Sequence, residues 1–154
     1  MNYDFTIENG AVNLAELFPI YAQHYHQMEE RLKGDGIDVS PFNPRLDDYI
    51  AHWMSGSLLN YVVRTSEGEA VGYSNVYLTN DMHNGDLIAQ EDTIFVLKNH
   101  RNGVGRKLVK FILADLKARN VKRVHITAMT DLRVAVAWKR LGFKAAATAM
   151  IYNF

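Results

Sequence analysis

Phe95 to Ile112 reads FVLKNHRNGVGRKLVKFI: an apolar stretch, then Arg101, Asn102, Gly103, Val104, Gly105 and Arg106, then a helix-like run. Three uses compete for such a turn: a tight bend and nothing more, a dinucleotide cradle, or a pocket for another pyrophosphate. Glycine serves any of them, because it bends tightly and lets a backbone approach a ligand closely. A dinucleotide fingerprint asks for a third small residue where Leu108 stands, and the chain left after the turn is too short for a doubly wound sheet. A Walker loop needs Lys and then Ser or Thr after its last glycine, whereas Gly105 precedes Arg106, Lys107 and Leu108. The bend and the pyrophosphate pocket remain. For the second, the amides and macrodipole of the helix start favour an anion, and Arg101 and Arg106 can add charge-assisted hydrogen bonds.

Upstream, Glu91 and Asp92 are adjacent on a strand-like run and so point to opposite faces. Either can serve as a general base, with partial burial raising its pKa toward a useful value; either can equally be a solvated charge or an ion-pair partner. Asp92 is the preferred base, expected to share a face with Ile94 and Val96. The six histidines, among them His24, His26, His83 and His125, show no metal spacing, so no metal site is expected. Cysteine is absent, which excludes disulfides, thiolate metal sites and a cysteine nucleophile.

The elements that must position these groups follow from periodicity and punctuation. A short strand, DFTIEN, precedes a helix begun by Asn13 and Glu16 as a capping box, with Pro19 expected to kink or break it. Asn43 caps a second helix with Pro44 at its first position, ending near Gly56. LLNYVVRT and AVGYSNVYL form a hairpin through SEGE, and DLIAQEDTIFVL is a long third strand of that group. A helix from Gly103, the strand VKRVHITAM, a helix stopped by Gly142 and a closing strand, KAAATAMIYNF, complete a β–α–α–β–β–β–α–β–α–β order. That order predicts an α/β fold with a mixed, mostly antiparallel twisted sheet flanked by helices, in one domain over residues 1–154. Formal net charge is zero, so no broad positive field invites nucleic acid. No apolar run reaches the ~20 residues of a membrane span, and no signal peptide is evident, so a cytoplasmic setting is expected.

The strand–HRNGVG–helix unit and the later WKRLGF resemble the GNAT superfamily of N-acetyltransferases over the whole order of elements. EDTIFV and YAQHYHQMEE are most similar to its small bacteriophage- and prophage-encoded members. The resemblance implies the GNAT acyl-CoA N-acyltransferase fold and acetyl-coenzyme A as cosubstrate. Its pyrophosphate would be held by His100, Arg101, Asn102, Gly103, Val104, Gly105 and Arg106, and its pantetheine arm by backbone groups of Phe95, Val96 and Leu97. It also implies a primary amine as acceptor, walled by the first two helices, where His24 and Glu29 could face it. Trp138 stands where many members carry a thiol-protonating tyrosine, and Asp131 where an asparagine is common; indole N–H is no usable acid. Tyr152 is the substitute acid to consider. A non-catalytic acyl-coenzyme A-binding or host-interaction module is the rival reading, and a homodimer is an open alternative to a monomer.

Overall fold

The computed structural model describes residues 2–128 and 132–154. Its elements are β1 (Tyr3–Glu8), α1 (Gly10–Gly34), α2 (Leu46–Ser55), β2 (Leu58–Thr65), β3 (Ala70–Asn80), β4 (Leu87–Val96), α3 (Val104–Ala118), β5 (Arg123–His125) and α4 (Leu132–Arg140), with a short 3-10 turn at Lys98–His100. The sheet runs in chain order, β1-β2-β3-β4-β5. The first three pairings are antiparallel and β4–β5 is parallel. The mixed, mostly antiparallel sheet expected from the element order is therefore what the chain builds.

The chain divides into two compact units, residues 1–17 with 45–127, and residues 18–44 with 128–154. The first holds the sheet, α2 and α3. On α3, Val104, Leu108, Ile112 and Leu116 recur every four residues and form one apolar stripe. That stripe buries against Leu59, Tyr61 and Val63 of β2, Val71 and Val76 of β3, and Ala89 and Val96 of β4. On α2, Trp53 is buried and its indole fills the space beside Gly10, where an added Cβ would sit 2.2 Å from the ring. In the second unit, Phe18 and Tyr25 of α1 pack their rings on Phe42 at 5.6 and 5.2 Å. There the side chain of Asn153 donates to the carbonyl of Asp38.

Four local expectations change. The N-terminal cap of α1 is Asn9, whose Oδ1 accepts from the Ala11 amide at 3.0 Å. Asn13 lies inside the helix and spends its side chain on Glu8 and Asn60 instead. Of the kink or break expected at Pro19, the break does not occur, and α1 is continuous through it. Helix α2 starts at Leu46, after Arg45 rather than Asn43, which brings Asp47 and Asp48 into its first turn, where the helix dipole favours them. Finally, residues 144–154 form no strand. Ala145, Ala146 and Ala147 offer little side-chain area to bury and low strand propensity, and Met150, Ile151, Tyr152 and Phe154 are exposed.

Candidate active site

Strand β5 is short. It pairs with β4 only at Ile88, Ala89 and Gln90, while β4 continues to Val96 along β3. Beyond Gln90 the side of β4 turned away from β3 is therefore released from β5. The Leu97 amide donates to the Val71 carbonyl at 2.9 Å. Because an antiparallel ladder alternates, Phe95 and Leu97 direct their N–H and C=O groups to β3, and Ile94 and Val96 direct theirs outward. Of Phe95, Val96 and Leu97, only Val96 turns its backbone into the opening, and Ile94 joins it. The Val96 carbonyl already accepts from Arg101 Nε at 2.8 Å.

Both carboxylates lie where the strands part, and a β-bulge separates them. Asn75 faces Thr93 and Val76 faces Glu91, so Asp92 is an extra residue on β4. The expectation that Asp92 shares a face with Ile94 and Val96 is corrected by this bulge, which changes the parity of the strand. Ala89 below it and Ile94 and Val96 above it all pack on the α3 side, with Glu91 in step with Ala89. Asp92 turns to the other face, where it accepts from the Tyr49 hydroxyl of α2 at 3.0 Å. Glu91 Oε2 accepts from the Thr127 amide at 3.1 Å, just past the end of β5. Burial pushes the Glu91 carboxyl up to about 7; the nearby Asp92 adds to the rise and the Thr127 amide opposes it. Burial also raises Asp92, against the stabilising Tyr49 hydroxyl.

The glycine turn lies in the same unit. Gly103 is the residue before α3, in the left-handed region at φ 78°, and among the described residues no side chain caps the helix. A Cβ built at Gly103 or at Gly105 meets no atom of the described residues within 4 Å. The amides of the first helical turn, which lack partners within the helix by its geometry, thus begin in open surroundings, as close approach by a diphosphate requires. Val104 is buried in the core, so it can offer only its backbone, whereas Asn102 and Arg106 are exposed. His100 is tied to β1: its Nδ1 and the Tyr3 hydroxyl are hydrogen-bonded at 3.0 Å. The Arg101 guanidinium lies over the Phe95 ring, 5.2 Å from its centre.

Trp138 and Tyr152 belong to the second unit. Trp138 packs edge-on to Phe143, and its buried Nε1 has no hydrogen-bond partner among the described residues. Tyr152 is 80% exposed and stands edge-on to Phe154. In that unit Glu29 pairs with Lys33 at 2.6 Å and with His26 at 3.5 Å. Asp131 lies outside the described residues. Among the described residues no three His, Asp or Glu side chains could hold a metal ion. Sequence reasoning missed Tyr49 and Thr127 as partners of the two carboxylates. Tyr49 reads only as part of an apolar helical stripe, and a backbone amide leaves no mark in a sequence.

A five-stranded sheet thus opens between a long strand and its short parallel neighbour, and a glycine-led helix joins the two in the chain. Residues 19–143 match the acetyltransferase (GNAT) family, and the chain belongs to that family. Comparison with curated protein sequences finds no significant match. Among solved structures, an aminoglycoside acetyltransferase from an uncultured soil metagenomic sample is similar at 19% identity and TM-score 0.75, over 100% of this chain and 99% of that one. A ribosomal-protein-alanine N-acetyltransferase from Brucella melitensis aligns at 15% identity and TM-score 0.72, over 98% and 99%. Glucosamine-6-phosphate N-acetyltransferase from Arabidopsis thaliana aligns at 12% identity and TM-score 0.68, over 100% and 99%. These likenesses establish the fold.

Proposed function

We propose that this GNAT acetyltransferase moves an acetyl group from acetyl-coenzyme A to a primary amine by direct attack in a ternary complex, in a cytoplasmic setting. The observation that carries the reading is the release of β4 from β5 beyond Gln90, beside a helix start whose two glycines face open space. Acetyl-coenzyme A, when bound, supplies an activated thioester. The first-turn amides of α3 and its dipole bind the diphosphate, and Arg106 adds charge from the exposed side. The outward backbone groups of Ile94 and Val96 hold the arm, and the Val96 amide is a fixed dipole for the thioester carbonyl. Glu91 takes the proton of the incoming ammonium, because a carboxyl near 7 is both ionised often enough and basic enough at neutral pH. The free amine then displaces coenzyme A as its thiolate, and the proton shed by the acylated nitrogen reaches that thiolate through water. Asp92, held by Tyr49, is the second candidate base.

Calorimetry with acetyl-coenzyme A is the direct test. Binding in the micromolar range is expected for the native chain, with a loss of tenfold or more for Gly103→Val or Gly105→Glu and no comparable loss of thermal stability. Absence of binding to the native chain would remove the proposal. Equal losses of stability and affinity in the variants would leave the glycines as a bend only.

A non-catalytic acyl-coenzyme A-binding module is the second reading, favoured by Trp138 in place of a tyrosine and by the exposure of Tyr152. Acetylation of any amine in a panel, abolished by Gly105→Glu, would dismiss it. Nothing in the family match or in the solved structures separates the phage-encoded kind from the rest of the family.

A further inference from the structure

The apolar pattern of β4 demands one extra residue, but not at a particular place. Ala89 and Ile94 pack on the same α3 side although an odd number of steps separates them, so one of Gln90 to Thr93 must be the surplus. What marks Asp92 is a pair of side-chain hydrogen bonds around Thr93, the last paired residue before the slip. The Asn75 amide donates to the Thr93 side chain, Oγ1, at 3.2 Å. The Thr93 carbonyl accepts from the Ser74 hydroxyl at 2.7 Å, and Ser74 is 1% exposed. Two side-chain hydroxyls thus tie the strands together at the point where the ladder slips. The Asn75 side chain fixes the opposite strand, its Oδ1 accepting from Asn60 Nδ2 at 2.9 Å and from Trp53 Nε1 at 3.3 Å.

We propose that Ser74 and Thr93 are positioning residues that lock the bulge at Asp92 and thereby keep Glu91 against the Thr127 amide at the mouth of the strand opening. Were the surplus residue Glu91 instead, Glu91 would leave the step shared with Ala89, and its carboxylate would leave Thr127. This deepens the catalytic reading above, since it names what places the base, and it rests on that reading for its kinetic consequence.

The first arm of the test needs no acetyl-coenzyme A. At pH 8, where Glu91 is mostly ionised, the Thr127 amide proton should be shifted downfield by its carboxylate acceptor in the native protein. Thr93→Val, which keeps the shape and removes Oγ1, should move that resonance upfield; Thr93→Ser, which restores the hydroxyl, should return it. Ser74→Ala removes the other lock, and it carries the same expectation if Thr93→Val does not fold. An unmoved Thr127 resonance in a folded Thr93→Val or Ser74→Ala protein overturns the proposal, as does Thr93→Ser behaving like valine. The second arm uses acetyl-coenzyme A and the best acceptor of a primary-amine panel. Thr93→Val should lower kcat about tenfold or more with KM for acetyl-coenzyme A within about twofold, a split that a general loss of structure would not produce. A native protein that binds no acetyl-coenzyme A would sink the proposed function while leaving the first arm to judge the bulge.

Discussion

Glu91 combines two demands that oppose each other. Its folded-state pKa of about 7 lies above the ordinary glutamate value of 4.5, so the folded chain holds this proton more tightly than the unfolded one. Stability from this group is therefore fully present below about pH 4.5 and is lost as pH rises through 7. Glu91→Gln removes that loss while keeping an acceptor for Thr127. We expect it to raise stability at pH 8 by about 1–2 kcal/mol in denaturant unfolding. The same change should cut kcat about 10²-fold or more and abolish an acid limb near pH 7 in the rate profile. A rate unaffected by Glu91→Gln but reduced by Asp92→Asn would move the base to Asp92. At this scale the sequence shows the two adjacent carboxylates plainly and misassigns their faces. Strict alternation puts Asp92 with Ile94 and Val96, and only the bulge, a property of the pairing with β3, reverses this. The parity change from Ala89 to Ile94 is present in the residues, but Leu87 and Ile88 are apolar too and blur it.

Helix α2 is fastened across the bulge by two aromatic side chains one turn apart. Tyr49 donates to Asp92 and Trp53 to Asn75, and their rings pack at 5.4 Å. Tyr49→Phe should cost about 1 kcal/mol of stability and raise the pKa of Asp92 further, since the ionised form loses a donor; carboxyl-carbon NMR titration reads the shift. Trp53 of the same helix lies directly against Gly10. A methyl group there has no room beside the indole, so Gly10→Ala should destabilise by about 1–3 kcal/mol in thermal unfolding, despite alanine's better helix propensity. Elements were the best-read level of the sequence. The bounds of β2 and the glycine before α3 follow from apolar runs and punctuation, because those signals are local. The cap of α1 was misplaced because Asn9 and Asn13 both carry the right side chain, and only the neighbours of Asn13, Glu8 and Asn60, reveal that it is already engaged. The final segment lacks a strand for the complementary reason: its alanines bury little area and its bulky residues stay exposed, so nothing secures a partner.

Within the first unit, one guanidinium joins three elements. Arg64 of β2 binds Glu8 of β1 at 2.7 Å and Glu16 of α1 at 2.7 Å. The Arg64 hydrogen bond holds the Glu8 carboxyl down at about 2, below its ordinary 4.5, despite some desolvation. Such a depressed group contributes fully above about pH 4.5 and loses its contribution as pH falls toward 2, the reverse of Glu91. Glu8→Gln should therefore cost about 1–3 kcal/mol at pH 7 and almost nothing at pH 2 in paired unfolding curves. The order of the sheet carries a further consequence, for the path by which the chain reaches this state. Strands β2, β3 and β4 are successive in the chain and adjacent in space, so each can pair after closing only a short loop. The ladder of β1 must wait for the long connection through α1 and α2 to close, and β5 for the crossover through α3. Closure entropy favours the near pairings. In pulse-labelled hydrogen exchange during refolding, amides of the β2–β3–β4 meander should gain protection first, with those of β1 and β5 following; simultaneous protection of β1 would contradict this sequence of events.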